Sequence, residues 1–391
     1  MTFDFDQTID RRGSGSLKWT AFPEDVLPMW IADMDFRAPQ PVIDALVARA
    51  HHGIFGYESP SQELASAICE RLARLYAWAV EPEEITFLPG VVSGLNVACR
   101  AFGSPGSGVL VQTPVYPPFL TAPQNNGQCL QTAPLSAVVQ QGVVRYETDY
   151  DLFEAAITPL TRLFLLCHPH NPGGAARQGD ELARLAEISL RHDLIICSDE
   201  IHCDLMLGGA GHVPMASLSP EVARRCITLM APSKTFNVPG LGCSFAIIQD
   251  SSLRQRFCQA AAELIPHVNI MGLTAALAAY QHGDPWLAGL VDYLTANRDY
   301  LVDYVGRNLP GIAATLPDAT YLAWLDCRRA GIPGSPCEFF LKQAKVALND
   351  GASFGPGGEG FVRLNFGCPR TTLTMGLERM RSAMEHMRSD I

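Results

Sequence analysis

The chain has 391 residues, of which 48% are hydrophobic and 18% charged, and a formal net charge of -11. That balance leaves no basic surface of the kind that holds a phosphate backbone, so nucleic acid is not an expected partner. The length exceeds the roughly 250 to 300 residues at which a single core stops growing, which predicts two domains. The N-terminal Met1-Thr-Phe-Asp-Phe-Asp-Gln7 has no basic stretch followed by an apolar core, and no secretion signal is expected. Leu64, Ile68, Leu72 and Leu75 recur at helical spacing. The apolar runs Ile85–Leu88, Val109–Gln112, Leu163–Cys167, Leu194–Ser198, Cys226–Met230 and Ser244–Ile248 read as strands, and Leu182, Leu185 and Ala186 mark a helix between two of them. This alternation predicts a mostly parallel central sheet covered by helices, an α/β domain over residues 50–285. The longest apolar stretch, near Ala260 to Tyr280, is broken by Glu263, Pro266 and His267. It falls short of the roughly 18 residues a membrane helix needs, so no membrane partner is expected and the chain reads as soluble and cytoplasmic.

Asp284-Pro285 punctuates the end of this block, and a long helix is predicted from Trp286 to about Asn308, closed by Pro310-Gly311. A strand at Tyr321–Asp326, a helix near Cys337–Val346, a strand at Phe361–Phe366 and a final helix from about Leu373 predict a smaller α+β domain over residues 286–391. Residues 1–49 are expected to pack against it. The chain has 12 cysteines but no Cys-x-x-Cys, and Cys99, Cys167, Cys197 and Cys226 lie inside apolar runs. They read as small buried hydrophobes in a reducing compartment, and no metal is expected. His168, His170 and His202 can be drawn as a ligand set, but their motif context accounts for them without metal.

Two strand ends carry the chemistry. Lys234 lies in Ala231-Pro-Ser-Lys-Thr-Phe-Asn-Val-Pro-Gly240, directly after the run ending at Met230, and the run Leu194–Ser198 ends on Asp199-Glu200-Ile201-His202. Open α/β sheets gather their ligands at such ends. A lysine can form a Schiff base with an aldehyde, and a carboxylate can hold a pyridine nitrogen protonated, so the pair points to pyridoxal 5'-phosphate. Taken singly, the two residues read as a surface lysine and a helix-capping aspartate. The segment Pro89-Gly-Val-Val-Ser-Gly94 lies between a strand and a helix starting near Val91. Its backbone amides can take an anion and Gly90 allows close approach, although a tight turn without a ligand is the alternative. Arg363, in Phe361-Val-Arg-Leu-Asn365, must find an anionic partner if buried, either a substrate carboxylate or a structural ion pair.

With these segments placed, the chain resembles the fold-type I pyridoxal phosphate enzymes of the class I/II aminotransferase type, and within them the carbon-sulfur β-lyases of the cystathionine β-lyase branch. The resemblance runs from Met29-Trp-Ile-Ala-Asp-Met-Asp-Phe36 through Phe55-Gly-Tyr-Glu58, Thr113-Pro-Val-Tyr116 and His168-Pro-His-Asn-Pro-Gly-Gly174. It continues through Ser198-Asp-Glu-Ile-His202 and Pro232-Ser-Lys-Thr-Phe-Asn237 to Phe361-Val-Arg-Leu-Asn365, and so covers nearly the whole chain. It implies the fold-type I architecture and a homodimer with shared active sites.

The resemblance also implies a role for each residue. Lys234 is the Schiff-base residue and general base, Asp199 the partner of the ring nitrogen, and Tyr116 the aromatic stacked on the ring. Asn171 serves the ring hydroxyl. Gly90, Val91, Val92 and Ser233 serve the phosphate, joined across the dimer by Tyr57. Arg363 forks the substrate carboxylate, with Ile31 and Ala32 bordering it. The general aminotransferase pattern has a serine three residues before the lysine and an arginine eight after it, where this chain has Ala231 and Gly242. His202, also placed at the cofactor, stands where many aminotransferases have a tyrosine. The implied reaction is α,β-elimination of cystathionine or a related cysteine S-conjugate to a thiol, pyruvate and ammonia. An aminotransferase, and a cofactor-binding regulator with incidental lyase activity, are the alternatives left open.

Overall fold

Two large sheets order the chain in the computed structural model, which describes residues 3–209, 211–262 and 264–389. The strands run β1 (Leu27–Pro28), β2 (Ile85–Leu88), β3 (Gly108–Thr113), β4 (Cys129–Pro134), β5 (Ser136–Gln140), β6 (Val143–Glu147), β7 (Thr161–Cys167) and β8 (Ile195–Asp199). They continue as β9 (Cys226–Met230), β10 (Ser244–Ile247), β11 (Ala313–Thr315), β12 (Leu322–Asp326), β13 (Val346–Ala347), β14 (Asn349–Asp350) and β15 (Phe361–Asn365). The helices that matter below are α1 (Gln40–His52), α2 (Gln62–Tyr76), α3 (Val91–Phe102), α4 (Gly179–Arg191), α5 (Ile270–His282), α6 (Asp284–Asn308) and α7 (Arg370–Ser389).

The first sheet has the order β2-β10-β9-β8-β7-β3-β4. Strands β9, β8, β7, β3 and β4 are parallel, and β10 runs against both its neighbours. Because β2 and β9 both oppose β10, they point the same way. The carboxyl ends of β2, β9, β8, β7 and β3 therefore share one edge, where this topology collects ligands. Side chains alternate across the sheet with a period of two, which splits the apolar runs between two cores. Val109, Leu163, Leu165, Ile195 and Cys197 pack with Leu95, Ala98 and Phe102 of α3. Their neighbours Leu110, Phe164, Leu166 and Ile196 pack with Leu182, Leu185 and Ala186 of α4. Both faces are thus buried, which is why these strands read as continuous apolar runs in the sequence.

The second sheet has the order β14-β15-β12-β11-β6-β5. Its hairpin β5–β6 comes from inside residues 50–285 yet pairs through Val143 and Val144 with Ala314 and Thr315 of β11. That hairpin, like β4 and β11, was not legible in the sequence, because β5 is largely exposed and carries no apolar run. The N-terminal stretch divides in two. Strand β1 pairs with β13, Leu27 opposite Val346, whereas α1 packs on α5. The helix expected near Cys337–Val346 is a short turn, Pro336–Phe339, that widens into a π-turn over Phe340–Ala344.

Candidate active site

Strand β9 ends at Met230, and Ala231 caps a single helical turn, Pro232–Thr235, with proline at its first position. Proline suits that position because its missing N–H would have no partner there. Lys234 lies in this turn, and the residues after it are tied down. Thr235 Oγ1 donates to Asp204 Oδ2 at 3.0 Å, and Phe236 is fully buried. Asn237, at φ 55°, donates from Nδ2 to the carbonyls of Met34 (2.9 Å) and Phe36 (2.7 Å) and accepts from Met34 N–H at 3.0 Å. Asn365 Nδ2 donates to the Ile31 and Asp33 carbonyls at 2.7 Å each. The segment 30–36 is thereby drawn against the lysine, and Lys234 Nζ donates to Ala32 O at 2.6 Å. The same oxygen accepts the Tyr321 hydroxyl at 2.9 Å.

Burial, then the charge of Arg363, pushes the Lys234 ammonium down to about 8, with Asp33 and Asp199 partly opposing. A larger neutral fraction near neutral pH makes it a better nucleophile and base than an ordinary lysine. At the end of β8, buried Asp199 accepts the Ile201 N–H at 3.1 Å, and burial pushes its carboxyl up to about 7. Among the described residues it has no cation in ion-pair contact. A protonated pyridine nitrogen is the kind of partner such a carboxylate lacks.

Arg363 on β15 is 3% exposed and all its hydrogen-bond partners are neutral. Nη1 donates to Asn171 Oδ1 at 2.8 Å, and Nη2 donates to Asn349 Oδ1 at 2.7 Å and to Trp30 O at 3.1 Å. Nε is buried without a partner, and the guanidinium lies 5.1 Å from the centre of the Phe354 ring. Burial lowers its pKa to about 10, against the favourable effect of Tyr116 and Tyr321. A buried guanidinium without a carboxylate is costly unless an anion arrives to meet it. The structural ion pair open to Arg363 in the sequence is therefore absent among the described residues.

Asn171 follows β7, donating N–H to Cys167 Sγ at 3.3 Å and accepting Tyr116 N–H at 3.0 Å. With Oδ1 committed to Arg363, its Nδ2 is the group left to donate to a ligand. Tyr116, just beyond β3, has its hydroxyl pKa raised by burial. His202 is buried, its ring edge-on to Tyr321 at 5.9 Å and its Nδ1 without a partner. Burial, then the charges of Lys234 and Arg363, lowers it to about 3, so the imidazole is neutral. His168 and His170 instead bond the carbonyls of Val213 (3.2 Å) and Pro114 (2.9 Å). At the end of β2, Gly90 is extended and caps α3, whose first internal bond runs from Gly94 N to Gly90 O at 3.2 Å. The N–H groups of Val91 and Val92 thus have no helical acceptor and stand at the same sheet edge. A Cβ on Gly90 would meet nothing within 4 Å, so there is open space at this cap, while Val91 packs in the core.

The model of the family "Aminotransferase class I and II" matches residues 24–380. The chain belongs to that family. It is 42% identical over 389 residues to the cystathionine beta-lyase PatB of Bacillus subtilis (strain 168), covering 97% of this chain and 100% of the relative. Among solved structures it is similar to OvoB, at 45% identity and TM-score 0.93 over 98% of this chain and 99% of that one. It is also similar to cystalysin from Treponema denticola, a structure that contains pyridoxal 5'-phosphate, at 32% identity and TM-score 0.93 over 99% of this chain and 100% of that one. The architecture is accordingly the fold-type I one.

Against the general pattern of this aminotransferase family, the departures at Gly242 and Ala231 have physical counterparts. Gly242 has φ +56°, and a Cβ there would lie 3.3 Å from Pro89 O, so an arginine at this position would be strained. Ala231 is a buried cap without a hydroxyl to offer, leaving Ser233, half-buried one position before Lys234, as the hydroxyl of that turn not already committed, since Thr235 donates to Asp204. Tyr57 is not brought to this site within one chain, being 103% exposed. Asn349, Tyr321, Asn237 and Asn365 complete the site but were not singled out as site residues. Asn349 meets Arg363 only through the β14–β15 register, for which the sequence carries no spacing signal.

Proposed function

We propose that the protein is a pyridoxal 5'-phosphate-dependent carbon-sulfur β-lyase that cleaves cystathionine or a related cysteine S-conjugate to a thiol, pyruvate and ammonia. The observation that carries this reading is the buried guanidinium of Arg363, without a carboxylate among the described residues, beside a half-buried lysine and a buried aspartate with no ion-pair partner among them. That set matches an α-amino acid bound next to a cationic ring. When bound, the cofactor supplies an aldehyde that condenses with amines and a ring that accepts the electron pair left at the substrate α-carbon.

The chain's own groups do the rest. Arg363 takes the α-carboxylate, its fork held flat by Asn171 and Asn349. Asp199 would keep a proton on the cofactor's ring nitrogen, Asn171 Nδ2 and neutral His202 would serve its ring hydroxyl, and Tyr116 would pack on the ring. The N–H groups of Val91 and Val92 at the Gly90 cap, with Ser233, would hold the phosphate. Lys234 Nζ takes the α-proton. In the net elimination Cα–H and Cβ–S break, Cα=Cβ forms, the sulfur leaves as a thiol with the proton that Lys234 Nζ took, and water converts the aminoacrylate to pyruvate and ammonia. The deciding measurement is pyruvate released from cystathionine without any keto-acid acceptor. Turnover that needs such an acceptor would make the protein an aminotransferase instead.

Arg363→Lys keeps the charge but loses the planar fork and the simultaneous ties to Asn171 and Asn349. Its KM for cystathionine is expected to rise at least about tenfold, about 1.4 kcal/mol, while a cofactor titration changes little. A loss confined to cofactor binding would put Arg363 elsewhere.

The functional unit we propose is a homodimer with shared sites. Ile54 (66% exposed), Phe55 (59%) and Tyr57 (103%) project from one stretch, an unusual display for a monomer surface. Mixing Lys234→Ala with Tyr57→Ala chains tests it, once each homodimer is folded and nearly inactive and exchange between them has been established. If Tyr57 serves the neighbour's site, a mixed dimer holds one intact site and activity returns. A heterodimer with no recovered activity defeats the shared site.

A further inference from the structure

A buried charge network stands behind the lysine turn. Arg71 of α2 pairs through Nη2 with Asp204 Oδ1 at 3.0 Å and through Nη1 with Asp284, and its guanidinium lies 5.8 Å from the Phe236 ring centre. Tyr76, also on α2, donates its hydroxyl to the same Asp204 Oδ1 at 2.9 Å. The other Asp204 oxygen accepts the Thr235 hydroxyl at 3.0 Å. Both Asp204 and Arg71 are nearly excluded from solvent, with side chains 5% and 6% exposed.

We propose that Asp204 is a positioning residue for Lys234, acting through Thr235; this rests on the lysine's role in the function proposed above. The turn Pro232–Thr235 is a single one, closed by Phe236 N–H to Pro232 O at 2.9 Å. One turn has none of the cooperative rigidity of a longer helix, so its orientation comes from side-chain ties. Thr235 supplies one tie and Asn237 the other. The Asn237 tie leads to the segment 30–36, which Asn365 of β15 also holds through the Ile31 and Asp33 carbonyls. The Thr235 tie leads through Asp204 to Arg71 and Tyr76 on α2, which packs in the main core. Asp204 is therefore the route by which the large-domain helix α2, as distinct from β15 and the segment 30–36, sets where Lys234 Nζ stands. A buried ion pair contributes little net stability for its desolvation, but it fixes geometry.

The test uses cofactor-loaded Thr235→Val, which keeps shape and loses the hydroxyl, and Thr235→Ser, which keeps the hydroxyl. The pH midpoint of the lysine-bound cofactor's absorbance is read without turnover, and kcat and KM are read separately. Thr235→Val is expected to move the midpoint by about 0.5 pH unit or more and to lower kcat about tenfold with KM within about twofold. Thr235→Ser is expected to restore both. A coloured Thr235→Val protein with unmoved midpoint and kcat overturns the proposal, as does a Thr235→Ser protein equally defective, which would assign the loss to methyl packing. Should Thr235→Val fail to take up cofactor, Asp204→Asn is titrated in the same way, and an unmoved midpoint there overturns it. Failure of the functional reading looks different: wild-type protein then shows no chromophore on Lys234, and the positioning role falls with it.

Discussion

Lys234→Ala is expected to abolish both turnover and the yellow colour of the protein. The substitution removes the covalent anchor and the group that takes the α-proton. Loss of a general base alone costs about 10²–10⁴ in rate, or about 3–5 kcal/mol in barrier, and loss of the anchor adds to it. The fold should survive, because Ala32 O keeps the Tyr321 hydroxyl and the Thr235 and Asn237 ties do not involve the lysine side chain. The cofactor-free variant should be no less stable than cofactor-free wild type. Burial lowers the folded-state pKa of Lys234 from 10.5 to about 8, so holding it charged costs stability below about pH 8, and that cost fades as pH rises through 10.5. Absorbance spectra, borohydride reduction with peptide mapping, and thermal melts check the three parts. A reduced adduct on any other lysine would sink the assignment.

Asp199→Asn carries the second large effect. The protein should still take up cofactor, since Lys234 and the phosphate groups are untouched, yet α-proton loss should slow by about a hundredfold or more, about 3 kcal/mol. The amide cannot hold a proton on the ring nitrogen, and a neutral ring stabilises a carbanion poorly. Burial already raises the Asp199 carboxyl to about 7 in the free chain. A cationic ring nitrogen in contact would favour the carboxylate, so the bound cofactor and the charge on Asp199 support each other. Stopped-flow exchange of the substrate α-proton for deuterium measures the step directly. Wild-type exchange in a folded, cofactor-loaded Asp199→Asn protein would remove Asp199 from this role.

Much of the site was legible because its residues cluster in short segments at strand ends. A buried parallel strand writes itself as an apolar run, and the first polar residues after it stand at the ligand edge, as with Asp199 after β8 and Lys234 after β9. The same logic located Gly90 after β2, whereas Tyr116 after β3 and Asn171 after β7 were singled out by the family resemblance. The hairpin β5–β6 escaped it because exposed strands leave no apolar run.

What the amino-acid sequence determined by itself was the buried strands and main helices and the chemical identity of the residues at their ends, since both follow from local periodicity and from side chains that are adjacent along the chain. It also determined the departures at Ala231, Gly242 and His202. Only the tertiary structure decided that Arg363 has no carboxylate partner among the described residues, that Asn349 and Asn171 share its fork, that Ala32 O faces Lys234, and that Asp204 holds Thr235. Arg363 and Asn171 are 192 residues apart, and Lys234 and Ala32 are 202 apart. Such contacts depend on sheet order, strand register and the burial that shifts each pKa, none of which local spacing encodes.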